Sequence, residues 1–230
     1  MIIKIKQVKQ LRNDYYFYLN IYKLYQKEDM TGYLELIVGP MGSDKTSTLF
    51  KRLGEEYVMG QRRCLYVNHT DDDSRLCMQK IGNYASSHSP NPVSLNENIT
   101  TQTVCLLGTI DVTQYDVIAV DEAHFFDDLR TSIKGWLTLG KVVYCAGLNA
   151  SSNMEDIGQI SLMFSMADKI VHKKAICTQC EKAMKYIGKV PKTATFTYRK
   201  CTNKRTLYAG GMDEYMPVCR YHYTQLMNSS

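Results

Sequence analysis

No apolar run in this 230-residue chain approaches the roughly 20 residues that cross a bilayer, so a membrane-spanning helix is not expected. Nor do the first residues, Met1-Ile2-Ile3-Lys4-Ile5-Lys6, form the apolar core of an export signal; they alternate apolar and basic. The Pro, Ser and Gln bias of disordered chains is missing, and there is no repeat or low-complexity tract. With 44% hydrophobic and 22% charged residues the chain can bury a core, and its length suits one sizeable domain plus a small one, or two modest domains. A strong charge of one sign is lacking too. The 28 Lys+Arg against 23 Asp+Glu leave +5, which suits a nucleotide-like polyanion but falls short of a dedicated nucleic-acid binder.

What the chain does have is eight cysteines, at 64, 77, 105, 145, 177, 180, 201 and 219. An even count invites a disulfide framework. Without an export signal, and with length enough for a core, reduced thiols in the cytoplasm are the expectation, and metal ligation is the use to test. Cys64, Cys105 and Cys145 lie in or beside apolar strands and read as buried hydrophobes. Cys77 and Cys201 acquire no role.

Three segments follow from the pattern. Residues 1–31 form an N-terminal extension with six Lys/Arg and five tyrosines, in which Leu11, Tyr15, Tyr18, Tyr22 and Tyr25 share one helical face. Residues 32–171 alternate apolar strands with helices. The strands are Tyr33–Val38, Cys64–Val67, Asp116–Val120 and Lys141–Ala146, and a helix runs from Ser47 to about Met59. Unbroken apolar strands of this kind predict an α/β fold, a parallel sheet with helices on both faces. Asn68 to Asn98 reads as a long loop. Residues 172–230 form a second domain: positions 173–205 carry ten Lys/Arg against one acid, Glu181, and Thr193–Tyr198 alternates like an exposed hairpin strand before a turn at Gly210-Gly211.

Gly39-Pro40-Met41-Gly42-Ser43-Asp44-Lys45-Thr46 lies between a strand and a helix, as a phosphate loop does. In such a loop the backbone N–H groups surround phosphate oxygens, the lysine neutralises β/γ charge and the hydroxyl holds Mg²⁺. Asp44 stands where glycine is required, and a carboxylate there brings like charge toward a triphosphate. The strand Asp116–Val120 ends in Asp121-Glu122, the order of a Walker B element, with Asp121 placed to support the metal and Glu122 to take a proton from a hydroxyl nucleophile. Each motif alone has a plain alternative, a helix start or a strand end; together they point to nucleotide chemistry. Cys177-Thr178-Gln179-Cys180 and Cys219-Arg220-Tyr221-His222 are two knuckles whose two-residue spacers let each pair meet one tetrahedral ion, a closed structural zinc site of three thiolates and one imidazole. A redox C-x-x-C is disfavoured because it would normally open a helix after a strand. His69 and His172 read as surface or strand-end residues.

These motifs, with Asp73-Ser74-Arg75, Asp121-Glu122-Ala123-His124-Phe125-Phe126, Ala146-Gly147-Leu148-Asn149-Ala150, Phe196-Thr197-Tyr198-Arg199-Lys200 and Gly210-Gly211-Met212-Asp213-Glu214-Tyr215, resemble the type II thymidine kinase family of cells and large DNA viruses, viral members most. The match runs from about Tyr33 to His222. The resemblance implies transfer of the γ-phosphoryl group of ATP, with Mg²⁺, to the 5′-hydroxyl of thymidine. It implies a P-loop NTPase-like sheet, a zinc lobe carrying a lasso loop over residues 181–218, a homotetramer and feedback inhibition by thymidine triphosphate; no direct nucleic-acid partner is implied. By motif position Glu122 matches the general base, residues 39–46 with Arg75 and Asp121 the ATP and metal contacts, and Met41, Phe125, Leu148 and Tyr215 the nucleoside pocket. This sequence departs from the family at Gly42 (usually phenylalanine) and Asp44 (glycine), which alters the phosphate loop at two positions, and at Ser152 (an aromatic) and Ile187 (threonine), which makes the pocket less aromatic and leaves deoxyuridine or other nucleosides open as substrates beside thymidine. Two rival readings are a weakly active nucleotide-binding homologue, because of Asp44, and a zinc-ribbon nucleic-acid binder using the basic 173–205 segment.

Overall fold

The computed structural model describes residues 31–60, 62–71, 99–184, 191–200 and 214–229. Six strands, β1 (Tyr33–Gly39), β2 (Cys64–His69), β3 (Ile99–Val104), β4 (Val117–Val120), β5 (Val142–Leu148) and β6 (Lys169–His172), form one sheet in the order β3-β2-β4-β5-β1-β6, every pair parallel. The period-2 alternation of strand side chains splits the core in two. Leu34, Leu36, Val38, Leu65, Val67, Ile118, Val120, Val143 and Cys145 face one side, covered by Leu129, Ile133 and Trp136 of helix α2 (Leu129–Thr138). Ile37, Cys64, Tyr66, Val117, Ala119, Tyr144 and Ala146 face the other, covered by Leu49, Phe50 and Leu53 of α1 (Lys45–Gly60). Both faces being buried is why these strands read as continuous apolar runs. Truncating any of these leucines to alanine is the kind of change that costs about 2–5 kcal/mol. Besides Asn68 and His69 at the end of β2, the exception is Glu35, 2% exposed, whose carboxylate pairs with Arg52 at 3.0 Å and Lys169 at 3.2 Å. Its burial is tolerable because both oxygens are paired.

The α/β expectation is met, with local differences. Edge strands β3, with its Thr-Thr-Gln-Thr centre, and β6, mostly exposed, carry little apolar signal and have no counterpart in the sequence reading. Helix α1 starts at Lys45, two residues before the expected Ser47, and β2 continues through Asn68 and His69. Cys105 is exposed, with its sulfur 3.0 Å from Thr70 Oγ1, instead of buried like Cys64 and Cys145. His69 is at a strand end, as expected, but buried.

After α3 (Ile160–Met163) and β6 comes a smaller lobe. It holds β7 (Ala175–Ile176), α4 (Thr178–Met184), β8 (Thr193–Ala194), β9 (Phe196–Arg199), β10 (Tyr215–Val218) and α5 (Arg220–Asn228). Two antiparallel pairs, β7–β8 and β9–β10, enclose a separate core of Ala175, Cys177, Cys180, Ala194, Met216, Val218, Cys219 and Tyr223. The stretch Thr193–Tyr198 is thus split at Thr195 between two partners, with Ala194 and Thr197 buried, and is not one exposed hairpin strand. The N-terminal extension, the 72–98 connection with Arg75 and Cys77, Ile187, Cys201 and much of the expected lasso lie outside the described residues. Among the described residues no helix is long and apolar enough to cross a membrane.

Candidate active site and metal centre

Register brings the carboxyl ends of the strands to one edge: Gly39 pairs with Leu148, Val120 with Cys145, Val67 with Val120 and Val38 with His172. That edge is where open α/β sheets place ligands. At the end of β1, a Cβ on Gly39 would stand 2.6 Å from Ser43 Oγ and 2.7 Å from the Lys173 carbonyl oxygen, so only glycine allows the loop to close. Gly42 and Asp44 have φ of +67° and +64°. The left-handed conformation at position 44 explains why glycine is the usual residue; aspartate is one of the few side chains that visits it, at a cost of about 1–2 kcal/mol. The Asp44 carbonyl receives the Thr48 N–H (3.2 Å) and hydroxyl (2.7 Å), closing the first turn around α1, while its carboxylate is 65% exposed and 3.9 Å from the Lys173 ammonium. Lys45 is buried and donates to the Pro40 carbonyl at 3.0 Å. The Ser43 hydroxyl is buried and has no hydrogen-bond partner among the described residues. An orphaned donor in a loop at a helix N-terminus fits an anionic group.

One strand beyond β5, β4 ends in Asp121, 3% exposed. Its Oδ2 receives the Tyr66 hydroxyl at 2.9 Å and its Oδ1 the Glu122 N–H at 3.0 Å. Each oxygen keeps a lone pair for a cation. Glu122 itself has φ +45°, a strained conformation that turns the chain into the 3₁₀ turn Ala123–Phe125. That turn is fixed from behind by Gly158, whose φ is +51° and whose Cβ, if present, would be 2.2 Å from the His124 carbonyl oxygen. Burial, with Lys45 and His69 nearby, pushes His124 down to about 3, so its imidazole is neutral. The Leu148 N–H donates to His124 Nδ1 at 3.4 Å, which puts the ring proton on Nε2. The 3.6 Å approach of Glu122 Oε2 to Nδ1 is therefore not an ion pair. Phe125 lies between two imidazoles, its centroid 5.6 Å from His69 and 4.4 Å from His124.

The smaller lobe is tied to this edge. The Met41 N–H donates to Thr197 Oγ1 at 3.0 Å, Asn149 Nδ2 to the Thr195 carbonyl at 3.3 Å, and the Tyr223 hydroxyl to the Ser152 carbonyl at 2.6 Å. Thr197, buried against the loop, was legible only as part of a strand and of a family motif, with no site role assigned to it. Tyr215 is buried on β10 with the Arg199 guanidinium 5.5 Å from its ring centroid.

In the lobe, Cys177, Cys180, Cys219 and His222 bring their ligand atoms within 4.8 Å of one another. Each sulfur is 3.4 Å from His222 Nδ1, and Cys180 and Cys219 sulfurs are 3.9 Å apart. Tetrahedral zinc with Zn–S of about 2.3 Å and Zn–N of about 2.0–2.1 Å sets S···S near ~3.8 Å and S···N near ~3.6 Å, so the residues fit the ion. Both knuckles use one device: a strand ends, the cysteine carbonyl takes a helical N–H (Glu181 to Cys177, Tyr223 to Cys219, each 2.9 Å), and a short helix carries the next ligand. Burial pushes the Cys177 thiol up, but amide hydrogen bonds from Cys180 and Cys219 and one from His222 outweigh it and lower it to about 6. Cys177 does follow a strand and precede a helix, the context thought to mark a redox pair. The convergence of Cys219 and His222, not that context, separates a metal centre from a dithiol.

Fold and site together define an α/β protein with a parallel sheet, a glycine-containing loop and an acidic pair at its carboxyl edge, and a Cys₃His lobe. A family model described as thymidine kinase matches residues 32–223. A thymidine kinase of rice (Oryza sativa subsp. japonica) is 33% identical over 193 residues, covering 84% of this chain and 66% of that protein. One from Amsacta moorei entomopoxvirus is 32% identical over 193 residues, covering 83% and 97%. Variola virus thymidine kinase is 27% identical over 192 residues. The chain spans about two thirds of the rice protein's length and nearly all of the viral ones. It belongs to the thymidine kinase family, a family of enzymes.

Proposed function

We propose that this protein transfers the γ-phosphoryl group of ATP to the 5′-hydroxyl of thymidine. The observation that carries the reading is that, in a chain of this family, loop 39–46 and the Asp121-Glu122 pair end at one sheet edge with only β5 between them. Loop amides, the Lys45 ammonium and the Ser43 hydroxyl bind and orient the phosphates, and the Thr46 hydroxyl and Asp121 hold Mg²⁺. When bound, Mg²⁺ neutralises charge that develops on the transferring group. Glu122, one-fifth exposed beside a neutral His124, takes the hydroxyl proton. Most of the acceleration comes from holding the reactants in line, since the loose transition state leaves little covalent work. Met41, Phe125, Leu148 and Tyr215 take the nucleoside in this reading; the roles given by motif position to Arg75, at the phosphates, and to the 181–218 lasso, in limiting water, fall wholly or largely outside the described residues.

Structural Zn²⁺ in the Cys₃His cluster, a homotetramer, inhibition by thymidine triphosphate, a cytoplasmic location and the division at 1–31, 32–171 and 172–230 belong to the same reading. The alternative of a weakly active homologue draws on Asp44. Its exposed carboxylate and glycine-like backbone favour the active reading.

The test is conversion of thymidine and Mg·ATP to thymidine monophosphate by the purified chain. Glu122→Gln is expected to lower kcat about 10²- to 10⁴-fold with KM for ATP little changed. No turnover, or a Glu122→Gln rate equal to wild type, refutes the assignment.

A further inference from the structure

Asp44 places an anion at the N-terminus of α1, where the helix end and the loop amides would otherwise offer their positive potential to a phosphate. Opposite it stands Lys173, the first residue after β6, with Nζ 3.9 Å from Asp44 Oδ2. The lysine backbone is not free to drift. Its N–H donates to the Val38 carbonyl at 2.7 Å, and its carbonyl and Cβ lie against Gly39, at 2.7 and 3.1 Å from where a Cβ would be. Both ends of the loop, Gly39 through backbone packing and Asp44 through charge, therefore meet one residue that lies 129 positions further along the chain than Asp44.

We propose that Lys173 is the compensating cation for Asp44: the aspartate–lysine pair stands in for the glycine of the phosphate loop, and nucleotide affinity depends on Lys173 as long as Asp44 is present. This rests on the phosphate-loop reading of residues 39–46. A pair at 3.9 Å between a half-buried lysine and an exposed carboxylate adds little to folding. Its effect is on the field that an incoming triphosphate meets. With Lys173 in place the two charges cancel at a distance; without it, Asp44 repels every phosphate charge within a Debye length of about 8 Å at physiological salt. Lys173 is a positioning residue for charge and makes no claim on the reacting atoms.

The test is Mg·ATP binding by calorimetry on the full chain, without thymidine, for wild type, Lys173→Gln, Asp44→Gly and the double variant. Lys173→Gln is expected to weaken binding about tenfold with Asp44 present and less than about twofold with Asp44→Gly, and the tenfold loss should shrink as salt rises. Lys173→Arg should restore wild-type affinity. Equal losses in both backgrounds would mean that Lys173 acts directly on the nucleotide or on folding, and they overturn the pairing, as does no loss at all. If none of the four proteins binds Mg·ATP, the phosphate-loop reading itself fails.

Discussion

Tyr66→Phe isolates the support beneath the acidic pair. The substitution removes one hydroxyl whose proton goes to Asp121 Oδ2 at 2.9 Å, in a place where both residues are almost fully buried. The ring remains, stacked on Phe50 at 4.8 Å and 24°, so no appreciable cavity opens. A hydrogen bond to a charged group contributes about 1.5–3 kcal/mol, and that is the expected loss of stability. For a chain of this size it lowers Tm by about 3–12 °C, taking about 2–4 °C per kcal/mol. Urea unfolding should show the midpoint falling with the slope unchanged. Among the described residues the Glu122 N–H is then what remains to orient the Asp121 carboxylate, so the Mg²⁺ concentration for half-maximal kinase activity should rise while KM for thymidine stays. In an Asp121→Asn background the bond is neutral and the cost of Tyr66→Phe should shrink to about 0.5–1.5 kcal/mol. An unchanged midpoint, or the same loss in both backgrounds, refutes the idea that this bond holds the carboxylate.

His124 is pushed down to about 3, against an ordinary value of 6.5. A histidine held neutral by the fold stabilises it above the unfolded pKa and loses that contribution as pH falls toward the folded value. Lowering pH from 7.5 to 5.5 should therefore cost about 1.4 kcal/mol, and His124→Gln should remove that dependence in denaturation curves taken across this range. At the metal centre, the purified protein should contain one zinc per chain. Cys177→Ser should lose the metal together with hydrogen-exchange protection in α4 and α5, while amides of β4 and β5 stay protected; full lobe protection without metal would contradict a structural ion.

The strands that could be read in the sequence are those buried on both faces: β1, β2, β4 and β5 are runs of Leu, Ile and Val because helices cover them from either side. The edges could not, since β3 and β6 need only half as much apolar surface and spell it with Thr, Gln, Lys and His. The Cys₃His cluster was legible for a local reason, two spacers of two residues, each one turn of chain. Loop 39–46 and Asp121-Glu122 were legible as strand ends. What joins them was not: Tyr66 to Asp121, Met41 to Thr197 and Asp44 to Lys173 link residues 55, 156 and 129 positions apart, and no short-range pattern marks a pair that only the sheet order, or for Thr197 the packing of the smaller lobe, brings together. The left-handed backbone at Asp44 shows the same limit, since the sequence displays the unusual residue and only the fold shows which conformation it must adopt.

The position of β1 also bears on how the protein is made. It is the first strand of the sheet to leave the ribosome, yet its only neighbours are β5 and β6, more than a hundred residues downstream. Until β5 has emerged at residue 148, Leu34, Leu36, Ile37 and Val38 have no strand to pair with, and the second neighbour, β6, follows only at residue 172, while β2 and β4 already have each other. Insertion of β1 between two late strands is thus a long-range closing step of the kind that slows folding and leaves an apolar segment open to chaperones and to aggregation. The strand end that carries Asp121 and Glu122 can therefore settle beside β2 before loop 39–46, which hangs from β1 and waits for β5, has a sheet to hold it.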